Sequence, residues 1–143
     1  LRETENKMSI PFNLLPAGKT LGIGCDLVEI SRISDAHNRH GQHFIDKIFS
    51  GEEQKYCMKQ NNPYPSLAAR FAAKEAISKA FTVGIGEHLG WKSISITNGE
   101  RNQPIVQLDA NAQSLLKKLG GQNVHISLSH TDTTAMAFAV VTQ

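Results

Sequence analysis

The sequence contains little cysteine and no long apolar run. Cys25 and Cys57 are the only two cysteines among the 143 residues of the sequence. They form neither a CxxC pair nor a metal-ligand spacing, which excludes a disulfide scaffold and favours a reducing compartment. No apolar run approaches the roughly 18 residues that a membrane-spanning helix needs, and the first residues lack the order of segments typical of a signal peptide. We therefore expect a cytoplasmic protein without a membrane partner.

An excess of charge of one sign is also absent. The 15 Lys and Arg residues face 13 Asp and Glu residues, which gives a formal net charge of +2. This imbalance is too small to indicate a nucleic-acid partner. Hydrophobic residues make up 40% of the chain, which excludes wholesale disorder. A chain of this length is expected to form one domain whose core needs no disulfide or structural metal.

The first 20 residues show little periodicity and contain Pro11, Pro16 and Gly18. We interpret residues 1–20 as an irregular lead-in and residues 21–143 as a single domain. Because the chain starts at Leu1 rather than at Met, part of this lead-in is expected to be a trimmed or added end.

The rest of the chain places helical periodicity early and antiparallel strand pairs late, which is typical of an α+β fold rather than a doubly wound parallel sheet. Strand periodicity begins at Leu21. Ser50 and Glu53 fit a capping box, and Asp109 is a second predicted helix cap. Two helices are predicted over residues 29–40 and 67–81, a third begins at the capping box, and a short fourth helix ends at Gly120. The later predicted strands cover residues 93–97, 104–108, 124–129 and 135–141.

Two glycines and a carboxylate lie on one face of the first predicted strand. Gly22, Gly24 and Asp26 alternate with the apolar residues of the other face. Because glycine has no side chain, the backbone at Gly22 and Gly24 is uncovered on this face. Either a ligand can approach the backbone there, or a neighbouring element packs closely on it while Asp26 caps the helix that begins near Glu29. Taken alone, the segment favours close packing. A dinucleotide fingerprint is excluded because the third glycine of G-x-G-x-x-G is missing.

The run from Ala68 to Phe81 predicts a central helix rich in alanine. Its alanines share one broad stripe, which suits close approach by a neighbouring element. Glu75 lies among apolar neighbours, with Lys79 one turn further on. A buried carboxylate there needs a paired cation or a metal. The alternative is a surface pair between Glu75 and Lys79 worth about 0.2–0.5 kcal/mol.

A short polar segment, Ser127-Leu-Ser-His-Thr-Asp132, ends another predicted strand. His130 stands where the chain turns, a position from which it can hydrogen-bond to a phosphate. The alternative is that His130 is a satisfied structural group. No serine hydrolase follows from this segment, because the G-x-S-x-G elbow is absent.

Together these segments supply two carboxylates, a lysine and a Ser/His/Thr group. Two carboxylates that share Mg²⁺ with phosphate oxygens of a substrate are a common arrangement, because Mg²⁺ prefers octahedral oxygen ligation and keeps several waters. The combination therefore predicts a site for phosphoryl-type transfer.

Three runs also carry a resemblance to a known family. Gly22–Ile33, Arg70–Phe81 and Ile126–Thr131 closely resemble, in order, the three signatures of holo-[acyl-carrier-protein] synthase, the small bacterial type of 4′-phosphopantetheinyl transferase. The resemblance implies the 4′-phosphopantetheinyl transferase fold, with the Ala-rich helix packed on an antiparallel sheet. It also implies a homotrimer with active sites between neighbouring subunits.

The activity implied by this resemblance is transfer of 4′-phosphopantetheine from coenzyme A to a serine of apo-acyl carrier protein, which leaves adenosine 3′,5′-bisphosphate. In the family pattern Asp26 and Glu75 correspond to the Mg²⁺ ligands. Lys79 corresponds to the residue that stabilises phosphate charge. The general base stays open between a metal-bound water, Asp26 and Glu75.

By the same resemblance, the nucleotide end of coenzyme A and its 3′-phosphate are held by Ser78, His130 and Thr131. Arg70 serves a site shared with the next subunit.

The resemblance further implies that the carrier protein contacts the first helix and the residues after it. The basic side chains there are Arg32, Arg39 and Lys47. Asp35 and Asp46 dilute this basic face, which is a departure from a strongly positive surface. We expect carrier binding that weakens as salt rises.

Two other functions stay open from the sequence. A non-catalytic sensor of coenzyme A or a nucleotide would keep the glycine strip and His130 without requiring both Asp26 and Glu75. A Mg²⁺-dependent hydrolase of phosphoanhydrides would need a positioned water where the carrier serine enters. The presence of both carboxylates favours transfer over the sensor.

Overall fold

The structure, a computed structural model, describes residues 18–143, so the predicted lead-in of residues 1–20 lies almost wholly outside the described residues. Within residues 18–143 no helix is long and apolar enough to cross a membrane. In chain order the elements are β1 (Thr20–Glu29), α1 (Ile30–His40), α2 (Gln42–Ile48), α3 (Gly51–Cys57), α4 (Tyr64–Ala80), a 3₁₀ turn (Trp91–Ser93), β2 (Ile94–Asn98), β3 (Pro104–Leu108), α5 (Ala110–Lys118), β4 (Asn123–His130) and β5 (Thr134–Thr142).

The strands form a three-stranded antiparallel sheet and a separate hairpin. The order in the sheet is β1-β5-β4, and Ala137 of β5 lies opposite Asp26 on one side and Leu128 on the other. β2 and β3 form the hairpin, with Ile96 opposite Val106. The α+β prediction, with the Ala-rich helix packed on an antiparallel sheet, is confirmed.

Helix α4 packs closely on β1 because the facing residues are small. A Cβ atom at Gly22 would collide with the carbonyl oxygen of Ala80, and a Cβ atom at Gly24 would collide with that of Ala76. The close-packing interpretation of the two glycines is therefore correct, and the alternative of a ligand-accessible strip is wrong because the helix covers the strip. On β5 the side chains buried on the helix side of the sheet are Ala135, Ala137, Ala139 and Val141.

The opposite face of the sheet is apolar and exposed. Ile23 and Leu27 of β1 are 61% and 64% exposed, and Met136 and Phe138 of β5 are 37% and 39% exposed. The register places Leu27 directly opposite Met136, so these side chains form one patch, here called the outer sheet face. A contiguous apolar patch of this kind is typical of an interaction surface.

Both predicted helix caps are confirmed. The Ser50 hydroxyl accepts the backbone N–H of Glu53 at 3.2 Å, and the Glu53 carboxylate accepts the N–H of Ser50 at 2.9 Å. The Asp109 carboxylate accepts the N–H of Ala112 at 2.8 Å and so begins α5.

Helix α4 begins at Tyr64 rather than at the predicted Leu67. Pro63 is the N-cap residue, and Pro65 lies within the first turn. Prolines are tolerated at these positions because the first backbone N–H groups of a helix have no partner within it.

Candidate functional site

Lys79 connects the central helix to the first strand. Its Nζ donates to the Asp26 carboxylate at 3.0 Å and to the Cys25 carbonyl oxygen at 2.9 Å. The Lys79 side chain is 53% exposed, whereas that of Asp26 is 17% exposed. Two alternatives from the sequence are wrong: Asp26 does not cap α1, which has no side-chain cap at Glu29, and among residues 18–143 the ion-pair partner of Lys79 is Asp26 rather than Glu75.

Glu75 lies one helical turn before Lys79, on the same side of α4. Burial raises the pKa of the Glu75 carboxyl, the negative charge of Asp26 raises it further, and the charges of Lys79 and Arg32 lower it. The two carboxylates are therefore close enough to repel each other, and a cation between them would relieve that repulsion. The structure thus brings Asp26, Glu75 and Lys79 to one place.

The pair Asp26 and Glu75 fits a hard divalent cation. No group of three His, Cys, Asp or Glu side chains suited to holding a metal occurs in the described part of the chain. Two carboxylates are nevertheless a usual protein contribution to a Mg²⁺ site, because this ion takes its other oxygen ligands from water and substrate phosphates. The residues present are therefore compatible with Mg²⁺.

A buried ion pair that no pattern in the sequence indicates anchors α4 on its inner side. Lys74 Nζ lies 2.6 Å from the Glu53 carboxylate, and both side chains are fully buried. The same Nζ donates to the carbonyl oxygens of Ile48 at 2.7 Å and Trp91 at 3.0 Å. The second Glu53 oxygen accepts the backbone N–H of Ile96 at 3.0 Å. This network ties four segments of the chain to α4.

Lys74 directly precedes Glu75, so holding Lys74 inside fixes the rotation that points Glu75 outward. Burial lowers the pKa of Lys74, and the charge of Glu53 raises it. The capping box gave Glu53 a local role, but nothing in the local pattern indicates that its carboxylate also receives a lysine from another helix.

A second polar region surrounds Arg70, at a cavity of about 460 Å³. Arg70 is only 4% exposed. Its Nη1 donates to the Ser66 hydroxyl at 2.9 Å, its Nη2 donates to Asn98 Oδ1 at 2.7 Å, and its guanidinium lies 4.6 Å from the ring centre of Tyr56. Within residues 18–143 no carboxylate forms an ion pair with Arg70, and its buried Nε has no hydrogen-bond partner. A buried cation without a counter-ion favours a bound anion.

His130 lines the same cavity. It ends β4 and shares with Leu128 the sheet face that is turned toward α4. The imidazole is exposed, with Nδ1 3.2 Å from the Thr131 carbonyl oxygen. The structure therefore brings Arg70 and His130, which are far apart in sequence, to one cavity.

Ser78 and Thr131 use their hydroxyl groups within the chain. Ser78 is buried, and its hydroxyl donates to the Glu75 carbonyl oxygen at 2.7 Å. The Thr131 hydroxyl oxygen accepts the N–H groups of Thr133 at 3.3 Å and Thr134 at 3.1 Å, which stabilises the turn between β4 and β5. Neither Ser78 nor Thr131 lines the cavity around Arg70.

The basic side chains expected to contact a carrier protein are all exposed on α1 and α2: Arg32, Arg39 and Lys47. The Arg32 guanidinium lies 5.8 Å from the ring centre of Phe71, and its charge lowers the pKa of Glu75, so α1 borders the carboxylate site. Hydrogen bonds from two glutamine amides lower the pKa of Asp46. Asp46 therefore stays anionic beside Lys47 and weakens the basic face.

Comparison with known proteins places most of the chain in one family. A family model described as the 4′-phosphopantetheinyl transferase superfamily matches residues 22–139. The chain is 47% identical over 121 residues to a holo-[acyl-carrier-protein] synthase of Chlamydia felis, which covers 83% of this chain and 96% of the relative. A protein of the same name from Natranaerobius thermophilus is 40% identical over 121 residues, which covers 85% and 96% of the two chains.

Solved structures agree with this match. The holo-[acyl-carrier-protein] synthase of Neisseria meningitidis has a TM-score of 0.82 at 31% identity and covers 87% of this chain and 100% of its own. The Helicobacter pylori enzyme, solved in complex with coenzyme A, has a TM-score of 0.75 at 33% identity and covers 84% and 99% of the two chains. Since the family signatures, the fold and these relatives agree, the chain belongs to the 4′-phosphopantetheinyl transferase superfamily.

Proposed function

We propose that the chain transfers 4′-phosphopantetheine from coenzyme A to a serine hydroxyl of apo-acyl carrier protein and releases adenosine 3′,5′-bisphosphate. The relatives named holo-[acyl-carrier-protein] synthase, one of them solved with coenzyme A, support this reaction. The observation that carries the proposal is the meeting of Asp26, Glu75 and Lys79: two mutually repelling carboxylates beside a half-exposed lysine. Such a group suits a metal-assisted reaction at a pyrophosphate.

Asp26 and Glu75 are the residues that would hold Mg²⁺, which when bound offsets phosphate charge and orients the pyrophosphate for in-line displacement. Lys79 donates to a phosphate oxygen, because its exposed ammonium has three N–H groups and the contacts to β1 use only two of them. The serine oxygen forms a bond to the phosphorus that carries pantetheine, and the bond from that phosphorus to the leaving nucleotide phosphate breaks. Asp26 and Glu75 are the side chains that can accept the serine proton.

The nucleotide end of coenzyme A is assigned to the cavity of Arg70 and His130. The uncompensated charge of Arg70 supports binding of the 3′-phosphate there, and His130 adds a second hydrogen-bonding group. Ser78 and Thr131 are assigned to the nucleotide end by the family pattern, and their hydroxyls hydrogen-bond within α4 and within the turn that follows His130.

Arg32, Arg39 and Lys47 form the surface assigned to the carrier protein. Their exposure on α1 and α2, together with the closeness of Arg32 to Glu75, supports an approach of the carrier serine to the carboxylates from this side. Basic side chains at such a rim steer an acidic partner and make association dependent on salt.

A homotrimer in the cytoplasm is the assembly that we propose for this chain. The outer sheet face supports self-association, because it exposes large apolar side chains on two neighbouring strands and such patches are uncommon on monomers. In that assembly the Arg70 cavity of one subunit would complete a site with the next subunit.

The reaction is tested by incubating the full chain with coenzyme A, Mg²⁺ and an apo-acyl carrier protein and measuring the intact mass of the carrier. We expect a carrier that gains one phosphopantetheine, and no gain when its acceptor serine is replaced by alanine. Cleavage of coenzyme A without an adduct would identify a hydrolase, and binding without turnover would identify a sensor. Either result would overturn the transfer reaction.

A further inference from the structure

The Arg70 guanidinium is held by four neutral groups. Ser66 supplies its hydroxyl and its carbonyl oxygen, at 2.9 Å and 3.4 Å from Nη1. Tyr56 supplies a ring face at 4.6 Å, and Asn98 supplies its amide oxygen at 2.7 Å from Nη2. Of these contacts, the one to Asn98 is the shortest hydrogen bond, and it comes from the end of β2 rather than from α4 or α3.

The Asn98 amide has a defined orientation. Its Nδ2 donates to the carbonyl oxygen of Asn102 at 3.3 Å and to Asn102 Oδ1 at 3.0 Å. A flipped amide would therefore lose both bonds and would also place an N–H group against the N–H groups of Arg70. The hairpin turn is itself closed by two backbone hydrogen bonds between Gly99 and its neighbours Asn102 and Gln103. The turn thus presents an oxygen acceptor to Arg70 in one fixed place.

An amide here differs from a carboxylate in one decisive respect. Aspartate has nearly the same shape and would accept the same hydrogen bond, but it would form an ion pair with Arg70 and cancel its charge. Asn98 positions the guanidinium while leaving the charge uncompensated within the described residues. Both Arg70 and Asn98 line the cavity, so that charge acts on whatever occupies it.

We propose that Asn98 is a positioning residue of the nucleotide subsite, which holds Arg70 in place and, by being neutral, reserves the Arg70 charge for the 3′-phosphate of coenzyme A. The proposal rests on the proposed function, because the phosphate is that of the proposed substrate. It assigns a role in substrate selectivity to the β2–β3 hairpin.

The test compares coenzyme A with dephospho-coenzyme A, which lacks the 3′-phosphate. Dissociation constants of both ligands are measured by calorimetry, with Mg²⁺ present, for the wild-type chain, Asn98→Asp and Asn98→Ala. Asn111→Asp is the matched control, since it introduces the same charge at an exposed position of α5 that does not line the cavity. Thermal unfolding of each variant is recorded in parallel.

We expect the wild-type chain and Asn111→Asp to bind coenzyme A about tenfold or more tightly than dephospho-coenzyme A, the size of effect that a hydrogen bond to a charged group produces. Asn98→Asp loses the two hydrogen bonds to Asn102 and gains an ion pair with Arg70. It should remain folded, bind dephospho-coenzyme A as before, and lose most of this selectivity. Asn98→Ala should lose selectivity in part, because the guanidinium is no longer held.

The possible failures are distinguishable. Wild-type selectivity in Asn98→Asp would overturn the role of Asn98 while leaving the nucleotide subsite intact, because a purely structural asparagine would affect both ligands equally. Equal affinity of the wild-type chain for the two ligands would remove Arg70 as the phosphate-binding group and with it the proposal. Failure of the wild-type chain to bind either ligand would overturn the proposed function as well.

Discussion

Lys79 Nζ on helix α4 lies 3.0 Å from Asp26 Oδ1 on strand β1, which joins two residues separated by 53 positions in sequence. The close packing that permits this contact comes from Gly22 and Gly24, since a side chain at either position would push α4 away from β1. The geometry of the carboxylate site therefore depends on how near the helix lies to the strand.

Replacing Glu75 with glutamine should abolish transfer while sparing the fold. Glu75→Gln removes one of two proposed Mg²⁺ ligands, and we expect kcat/KM to fall by about 100-fold or more. Because burial and Asp26 already disfavour the charged form of Glu75, its neutralisation should leave the Tm unchanged or slightly raised. The adduct assay and a thermal melt measure the two effects.

Glu87→Gln is the control, because Glu87 is 87% exposed beside His88 and lies in no proposed site. It should retain wild-type activity. Turnover of Glu75→Gln at the wild-type rate would exclude Glu75 as a metal ligand.

The spacing between α4 and β1 should tolerate no added side chain at Gly24. Gly24→Ala introduces a Cβ that collides with the backbone carbonyl of Ala76, and we expect a loss of about 2 kcal/mol or more in the free energy of unfolding. Urea unfolding at fixed protein concentration measures it. Gly84→Ala, where a Cβ meets no atom within 4 Å, should differ from wild type by less than about 0.5 kcal/mol; equal stability of the two variants would contradict the packing account.

The buried pair of Lys74 and Glu53 should show strong energetic coupling. Lys74→Met leaves the Glu53 carboxylate buried without its cation, which costs about 3–5 kcal/mol. In the double variant Lys74→Met/Glu53→Gln, the side-chain amide oxygen of the new glutamine can still accept the backbone N–H of Ile96, and no charge is buried. The double variant should therefore be more stable than Lys74→Met alone. A double-mutant cycle by chemical denaturation measures the coupling, and additive losses would show that the two residues act independently.

Local chemistry explains which parts of this structure the sequence predicted. The capping box at Ser50 and Glu53 and the cap at Asp109 depend on residues within one turn of each other, so their patterns suffice. The Lys74 to Glu53 pair and the Arg70 to Asn98 bond join residues 21 and 28 positions apart. No local pattern indicates such contacts.

The orientation of β1 is a second feature that the sequence pattern does not determine. Alternation separates the face of Gly22 and Gly24 from the face of Ile23 and Leu27, but a period of two does not say which face meets the core. Here the glycine face is buried under α4, and the apolar face is exposed. Motifs and a family resemblance predict Asp26 and Glu75 as metal ligands, whereas only the fold shows that Lys79 pairs with Asp26.

The exposed apolar side chains of β1 and β5 should be needed for assembly. Leu27→Asp places a charge in the outer sheet face, where burial against another subunit would desolvate it. We expect light scattering to give a lower mass for the assembly in solution, together with loss of transfer. Ile105→Asp is the matched control, because Ile105 is 41% exposed but lies on the β2–β3 hairpin. An unchanged mass for Leu27→Asp would remove the outer sheet face as the assembly surface.

The basic side chains of α1 and α2 should determine the affinity for the carrier protein but not for coenzyme A. Arg39→Glu and Lys47→Glu reverse charges that are exposed and lie outside the carboxylate site. At low salt we expect the KM for the carrier to rise severalfold and the KM for coenzyme A to change little. The carrier KM of each variant should approach the wild-type value as salt screens the interaction. Lys118→Glu on α5 makes the same charge change on another element and should leave both constants unaltered. If the carrier KM rose equally in all three variants, net charge rather than this surface would govern association. The position of α1 beside Glu75 would then have no bearing on how the carrier protein brings its acceptor serine to the site.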